Sequence, residues 1–321
     1  MRQFILVVLI LIAARIPTAH AQAQNPYLND HDETANPAIS ASVYGTKVNL
    51  RYQLNVYIQQ VDDSSELYPA VVLVHGGGWD KGNAANLTDY ARVLHTHNLI
   101  TVEVDYRTLP EGETASTPNP HSPEPCVQDM KTVIRWLRQN ADKYHIDRNK
   151  IAAFGESAGG YMAAHAAYLD GWNHADDATT YNGTPHPLTY WSAKPNLLIL
   201  MSPILSVGTE AHAYEHWRFG SDSTDHDIIT APTNSSIPVL LQIGYYDTTA
   251  WPPTAKTWHQ KLMDANVPVT QYVYYSEENP DNPNATRYGA CHQFFRKAGA
   301  DFYNVPQNRV ISFLHSHGYG D

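Results

Sequence analysis

The chain has 321 residues, of which 43% are apolar and only 17% charged, a balance that excludes a mainly disordered polypeptide. Its formal charge of −11, from 21 basic and 32 acidic side chains, argues against a general phosphate-binding surface and so against a nucleic-acid partner. Two cysteines, Cys126 and Cys291, exclude a small disulfide scaffold and a four-cysteine zinc site, and leave either one bridge or two thiols.

The first element is a leader. Met1 and Arg2 give a positive start, residues 4–14 are apolar, and Ala19-His20-Ala21 offers a small-x-small cleavage pattern. This predicts a secretory signal peptide over residues 1–21 and a secreted, extracellular protein. The apolar run ends at Arg15 and is too short to span a bilayer, which takes about 20 residues. No other stretch is long and apolar enough, so no membrane span is expected. Residues 22–41 read as a loose polar arm, and residues 42–321 as one domain. Export makes the four Asn-x-Ser/Thr sequons at Asn86, Asn182, Asn234 and Asn284 candidate glycosylation sites.

Residues 43–58 alternate enough to predict two antiparallel strands. Residues 70–74 are a continuous apolar run, the pattern of a strand buried on both faces. A helix is expected over 87–97, a strand over 100–104, and a helix over 127–144 with Pro125 just before it. A short strand at 151–154 leads into a helix of small residues at 158–169. Strands follow at 197–201, 239–243 and 269–275, with helices at 254–265 and 305–315. Buried strands alternating with helices predict an α/β fold: a mostly parallel sheet flanked by helices, with antiparallel strands at its N-terminal edge. Two long polar loops, 170–194 and 206–236, interrupt the short connections and are candidates for function.

Gly155-Glu156-Ser157-Ala158-Gly159 lies between a predicted strand and a predicted helix. In that setting Gly-x-Ser-x-Gly makes a sharp elbow that exposes the serine oxygen, so Ser157 is the expected nucleophile. The helix that starts there directs its first amides at the same point. His75-Gly76-Gly77-Gly78-Trp79 follows the strand 70–74. The amides of Gly77 and Gly78, with that of Ala158, are the expected oxyanion hole. His75 is expected to stabilise its loop.

These two motifs, with Asp105-Tyr106-Arg107 after another strand, resemble the α/β-hydrolase esterases of the hormone-sensitive-lipase-like and feruloyl/acetyl esterase-like branch, from about Val43 onward. The resemblance implies the chain order serine, acid, histidine. The acid should follow a late strand, which selects Asp247 after 239–243. Asp222, Asp225 and Asp227 compete from a polar loop with no strand before them. The histidine should follow the next strand, which selects His292 among 17 histidines, over His259, His315 and His317. The resemblance also brings the regions of Cys126 and Cys291 together, so that a disulfide between them would brace the His292 loop. Two buried thiols are the alternative.

What this implies is a serine carboxylesterase acting on small-molecule or carbohydrate-linked esters through an acyl-enzyme, with no metal and no cofactor. Short acyl or carbohydrate-linked esters are favoured because no large apolar lid is present. Trp172, Trp191, Trp217, Tyr245, Tyr246 and Trp251 are candidates to line a sugar or phenolic site, or simply to pack under the loops. An amide hydrolase such as an arylformamidase shares the motif His75–Trp79 but is usually intracellular. A non-catalytic binding protein on the same scaffold would ordinarily lack a member of the triad. Oligomeric state is open.

Overall fold

The computed structural model describes residues 46–51, 54–62, 65–110, 122–178, 187–207, 226–231, 236–244, 247–267, 270–275, 292 and 300–321. The expected leader and arm, Cys291, and the sequons at Asn182, Asn234 and Asn284 lie outside them, as do Trp217, Tyr245 and Tyr246. The elements in chain order are β1 (Thr46–Arg51), β2 (Leu54–Gln59), β3 (Tyr68–Val74), α1 (Thr88–His95), β4 (Ile100–Asp105), α2 (Glu124–Gln139), β5 (Ile146–Glu156), α3 (Ala158–Tyr168), β6 (Leu197–Met201), β7 (Val239–Gly244), α4 (Pro252–Asp264), β8 (Thr270–Tyr275) and α5 (Ala300–Ser316).

The uninterrupted apolar runs have a simple cause. Successive strand residues point to opposite faces, and here both faces are covered. Ala70, Val72 and Val74 of β3 join Val102, Ala153, Leu198 and Leu241 in one core, against α2, α3 and α4. Val71 and Leu73 join Phe154, Ile199 and Leu240 in the other, against α1 and α5. Each fully buried Val or Leu stabilises the fold by roughly 1.5–3 kcal/mol.

The described strands form one sheet in the order β1-β2-β4-β3-β5-β6-β7-β8. β1, β2 and β4 pair antiparallel. β4, β3, β5, β6, β7 and β8 pair parallel. The predicted fold class is therefore the observed one. Every residue of α3 is buried, which explains why this helix is apolar on all sides. Among the described residues, no helix is long and apolar enough to cross a membrane.

One expectation is corrected. The bridge between Cys126 and Cys291 is overturned: Cys126 is a buried thiol, not half of a disulfide. It sits in the first turn of α2 inside the core, and its Sγ–H donates to the carbonyl of Arg107 at 3.2 Å. The side chain thus ties α2 to the segment after β4.

β4 also buries a carboxyl group. Glu103 is 2% exposed and accepts a hydrogen bond from Thr88 Oγ1 of α1 at 2.7 Å. Burial pushes it up to about 7, against the smaller lowering effect of the Thr88 hydroxyl. The folded state therefore holds a proton that the unfolded chain releases near pH 4.5, and stability falls as pH rises from there to about 7. We expect the wild-type chain to lose about 2–3 kcal/mol across that window. Glu103→Gln should not show this loss in urea unfolding measured at pH 4.5 and pH 7.5.

Candidate active site

β5 ends at Glu156 and α3 begins at Ala158, so Ser157 alone makes the turn between them. Its backbone sits at φ 52°, ψ −117°. Such a conformation costs a residue with a side chain on the order of 1–3 kcal/mol. The neighbours hold it there. Ser157 N donates to the carbonyl of Met201 at 3.0 Å, and Ile204 N donates to the carbonyl of Ser157 at 3.1 Å. Met201 ends β6 and Ile204 lies three residues beyond it, so the elbow is pinned by the adjacent strand and the segment that leaves it. The helix can approach β3 only because residue 159 is glycine: a Cβ there would lie 2.1 Å from the Val74 carbonyl oxygen.

The glycine loop after β3 passes beside the elbow. A Cβ on Gly76 would lie 2.9 Å from Ser157 Cβ. Gly77 has φ 110°, and a Cβ there would meet the Lys81 carbonyl oxygen at 2.1 Å. Its own carbonyl accepts the amides of Asp80 and Lys81, both at 3.2 Å. Gly78 follows with φ 58° and Trp79 with φ 67°. Ala158 is the first residue of α3, where amides have no acceptor within the helix and the helix dipole is positive.

Asp247 stands just beyond β7, its amide bonded to the Gly244 carbonyl at 3.2 Å. It is 4% exposed. Its Oδ1 accepts the amides of Thr249 at 2.9 Å and Ala250 at 2.7 Å, which fixes the carboxylate plane. His292 Nδ1 lies 3.0 Å from Oδ1 and 2.9 Å from Oδ2. His292 Nε2 lies 2.9 Å from Ser157 Oγ. An ionised carboxylate only accepts, so the imidazole donates from Nδ1 and leaves Nε2 to accept the serine hydroxyl proton. Burial raises the carboxyl group of Asp247, but the His292 hydrogen bond and charge and the Ala250 amide outweigh it and hold it below the usual range.

The structure therefore brings Ser157, His292 and Asp247 into one hydrogen-bonded chain, with the Gly76–Gly78 loop alongside Ser157. The competing residues lie elsewhere or serve other contacts. Asp227 is buried and accepts Val207 N and Ser206 Oγ, knitting its own loop together. Asp222 and Asp225 lie outside the described residues. His259 sits on α4, and His317 bonds the Phe313 carbonyl at the end of α5. Asn86 uses its Oδ1 to accept Asn83 N in a small capping box.

His75 contacts its own loop, with Nδ1 2.6 Å from the Gly76 carbonyl. Its ring stacks on Tyr106 at 4.2 Å. Tyr106 is a residue whose role sequence reasoning missed: its hydroxyl is 3.1 Å from the His75 carbonyl and 3.2 Å from that of Gly76. Its neighbours complete a brace. Asp105 accepts Ala84 N and the Tyr57 hydroxyl, while Arg107 grips the buried Asp129 of α2 through Nε and Nη2. The signal was the run Asp105-Tyr106-Arg107 itself, visible as a motif but silent about what it supports.

The comparisons with known proteins agree with this architecture. The apo form of Thermogutta terrifontis esterase 2 superposes with a TM-score of 0.66 at 23% identity, over 84% of this chain and 91% of that one. The chain has the α/β-hydrolase fold. It is related to the BD-FAE family, whose model matches residues 54–188. Esterase LipC of Mycobacterium tuberculosis is 36% identical over 100 residues, 30% of this chain and 22% of that protein. Carboxylesterase NlhH of the same species is 35% identical over 105 residues, 32% of this chain and 29% of that protein. Endo-1,4-beta-xylanase B of Butyrivibrio fibrisolvens is 29% identical over 215 residues, 64% of this chain and 31% of that protein. The matches thus span less than a third of these relatives' own length.

The close approach at residue 159 gives a direct prediction. Gly159→Ala places a methyl group against backbone that cannot rotate away, and should destabilise the fold by about 3 kcal/mol or more. Thermal unfolding of the variant checks this; an unchanged midpoint would contradict the close packing of α3 on β3.

Proposed function

We propose that the protein is an exported serine carboxylesterase, and that Ser157, His292 and Asp247 are its catalytic triad. The observation that carries this reading is the unbroken chain from Asp247 through His292 Nδ1 and Nε2 to Ser157 Oγ, all at 2.9–3.0 Å. His292 takes the Ser157 proton as the oxygen attacks an ester carbonyl, and Asp247 orients the ring and stabilises its charged form. The amides of Gly77, Gly78 and Ala158 receive the oxyanion. The alcohol leaves with the proton from His292, and water then releases the acid from the acyl-enzyme by the same steps in reverse.

The names of the matched relatives support an ester substrate. The longer match to a protein named as a xylanase supports a carbohydrate-linked ester among the short acyl esters. Residues 1–21 support export, because they combine a positive start, an apolar core and a small-x-small site.

Ser157→Ala should lower turnover of p-nitrophenyl acetate by roughly 10,000-fold or more. Circular dichroism and the melting temperature should stay near wild type, because the side chain contributes little packing. Retention of most activity by the folded variant would contradict the assignment.

A further inference from the structure

At the far end of α3 from Ser157 the surface carries a groove of two lobes. One, of about 350 Å³, has walls from α2, from the residues that close α3, and from residues 189–194. The other, of about 570 Å³, runs past Ala167 and Tyr168 of α3 to Asn149, Asn196 and Ser236. Ser192 and Lys194 line both lobes, so the two are continuous. Ala166, one of the lining residues, is nine positions beyond Ser157, which at 1.5 Å per helical residue puts the groove roughly 13 Å from the nucleophile. Each lobe falls within the range of small-molecule sites, roughly 300–1,000 Å³, so the whole groove can follow a chain of linked units.

The cations beneath the groove are occupied by the protein itself. Lys131 donates to the carbonyls of Leu169 at 2.8 Å and Gly171 at 2.7 Å, and Asp170 adds its attraction. Arg135 donates to Asp177 at 3.0 Å, to Asn173 Oδ1 at 2.7 Å and to the Trp191 carbonyl at 3.2 Å. Arg138 donates to the carbonyls of Arg148, Ser192 and Lys194 and to Asn196 Oδ1. What the groove shows to solvent is mostly neutral and polar. The amides of Asn149 and Asn173 and the hydroxyls of Thr189, Ser192 and Ser236 all belong to exposed lining residues. Among the described residues, the exposed charges that line it form one pair of opposite sign, with Lys194 Nζ 4.0 Å from Asp170 Oδ1.

An aromatic ring stands in the first lobe. Tyr190 is 67% exposed, and its ring is held edge-on against Trp191 at 5.3 Å. Arg148 lies over the Trp191 ring at 5.5 Å, so the indole is itself held and buttresses the tyrosine. The tyrosine ring thereby offers a flat apolar face with a polar edge. A ring beside a row of uncharged donors and acceptors selects its ligand. A purely apolar molecule would cover the amides and hydroxyls without pairing them, which costs free energy. A polyanion would meet no unbalanced cation, since Lys194 faces Asp170. A sugar chain suits both features, because its C–H faces can lie on the ring while its hydroxyls pair with the walls.

We propose that this groove binds a neutral oligosaccharide chain, with one sugar ring stacked on Tyr190 and the following units running past Ser192 to Ser236. The groove is separate from the candidate active site and performs no chemistry, so its occupancy does not depend on the proposed esterase activity.

Calorimetric titration of the full chain with xylohexaose, cellohexaose, xylose, glucose and tetragalacturonic acid tests it. Saturable binding of at least one neutral hexamer is expected, at least tenfold tighter than binding of its monomer or of the acidic chain. Tyr190→Ala should weaken that binding about tenfold. It should leave the melting temperature and the turnover of p-nitrophenyl acetate unchanged, since the ring is exposed and remote from Ser157. Ser157→Ala should bind the hexamer as the wild type does, so a failure of the esterase reading would leave this result intact. Absence of saturable binding of both hexamers, equal binding of the monomer or of the acidic chain, or binding indifferent to Tyr190→Ala would each overturn the proposal.

Discussion

The backbone turn at Ser157 is the constraint around which the rest of the site is organised. A side-chain-bearing residue is held at φ 52° between the last residue of β5 and the first of α3. Such a conformation persists only when its surroundings over-determine it. Here they do so from both sides: Met201 at the end of β6 and Ile204 just after it supply two backbone hydrogen bonds, and β3 presses against the glycine at 159. Because the strands flanking the elbow are themselves buried on both faces, the strain is supported by both halves of the core. The same geometry places Ser157 Oγ within reach of His292, and Ala158 at the positive end of α3.

The supports extend outward in layers. Tyr106 holds the carbonyls of His75 and Gly76, and Arg107 fastens that segment to α2 through Asp129. On the other side of α3, His165 anchors parts of both long loops. Trp172 stacks on His165 at 4.8 Å and on His226 at 3.6 Å, and His165 Nε2 lies 3.1 Å from His226 Nδ1. Burial, with the nearby Lys131, pushes His165 down to about 2, so its ring stays neutral and the stack carries no charge at this position. The first loop is thus held at Trp172 and the second at His226, against one helix. Trp172 is an example of an aromatic whose contacts are with the loop packing.

What could be read from the sequence follows from how local each feature is. β6 was predicted over its whole length, because five apolar residues end sharply at Ser202. β5 was expected from residue 151, but it starts at Ile146. Pairing of Tyr68 with Ile146 extends the strand through Asp147, Arg148, Asn149 and Lys150, whose polarity hides it. α5 begins at Ala300, before the expected 305, and carries Pro306 inside it. Ser157 was named from a turn motif, and Asp247 and His292 from the order serine, acid, histidine that the family resemblance implies, laid over the predicted strands. Cys126 was misjudged because a resemblance that brings two regions of the chain together says nothing about where a side chain is directed: its sulfur points to the Arg107 carbonyl within the core. Tyr106 and Lys131 could not be assigned from sequence, since their partners are backbone carbonyls distant in the chain.

The central claim is that the hydrogen-bonded chain ending at Ser157 Oγ makes this one oxygen a nucleophile. Labelling with a fluorophosphonate probe, followed by mass spectrometry of the digested protein, tests it most directly. The account predicts a single covalent adduct, on Ser157, and no adduct when His292 is replaced by alanine in a folded chain. No labelling of the intact folded protein, or an adduct on a different residue, would contradict it.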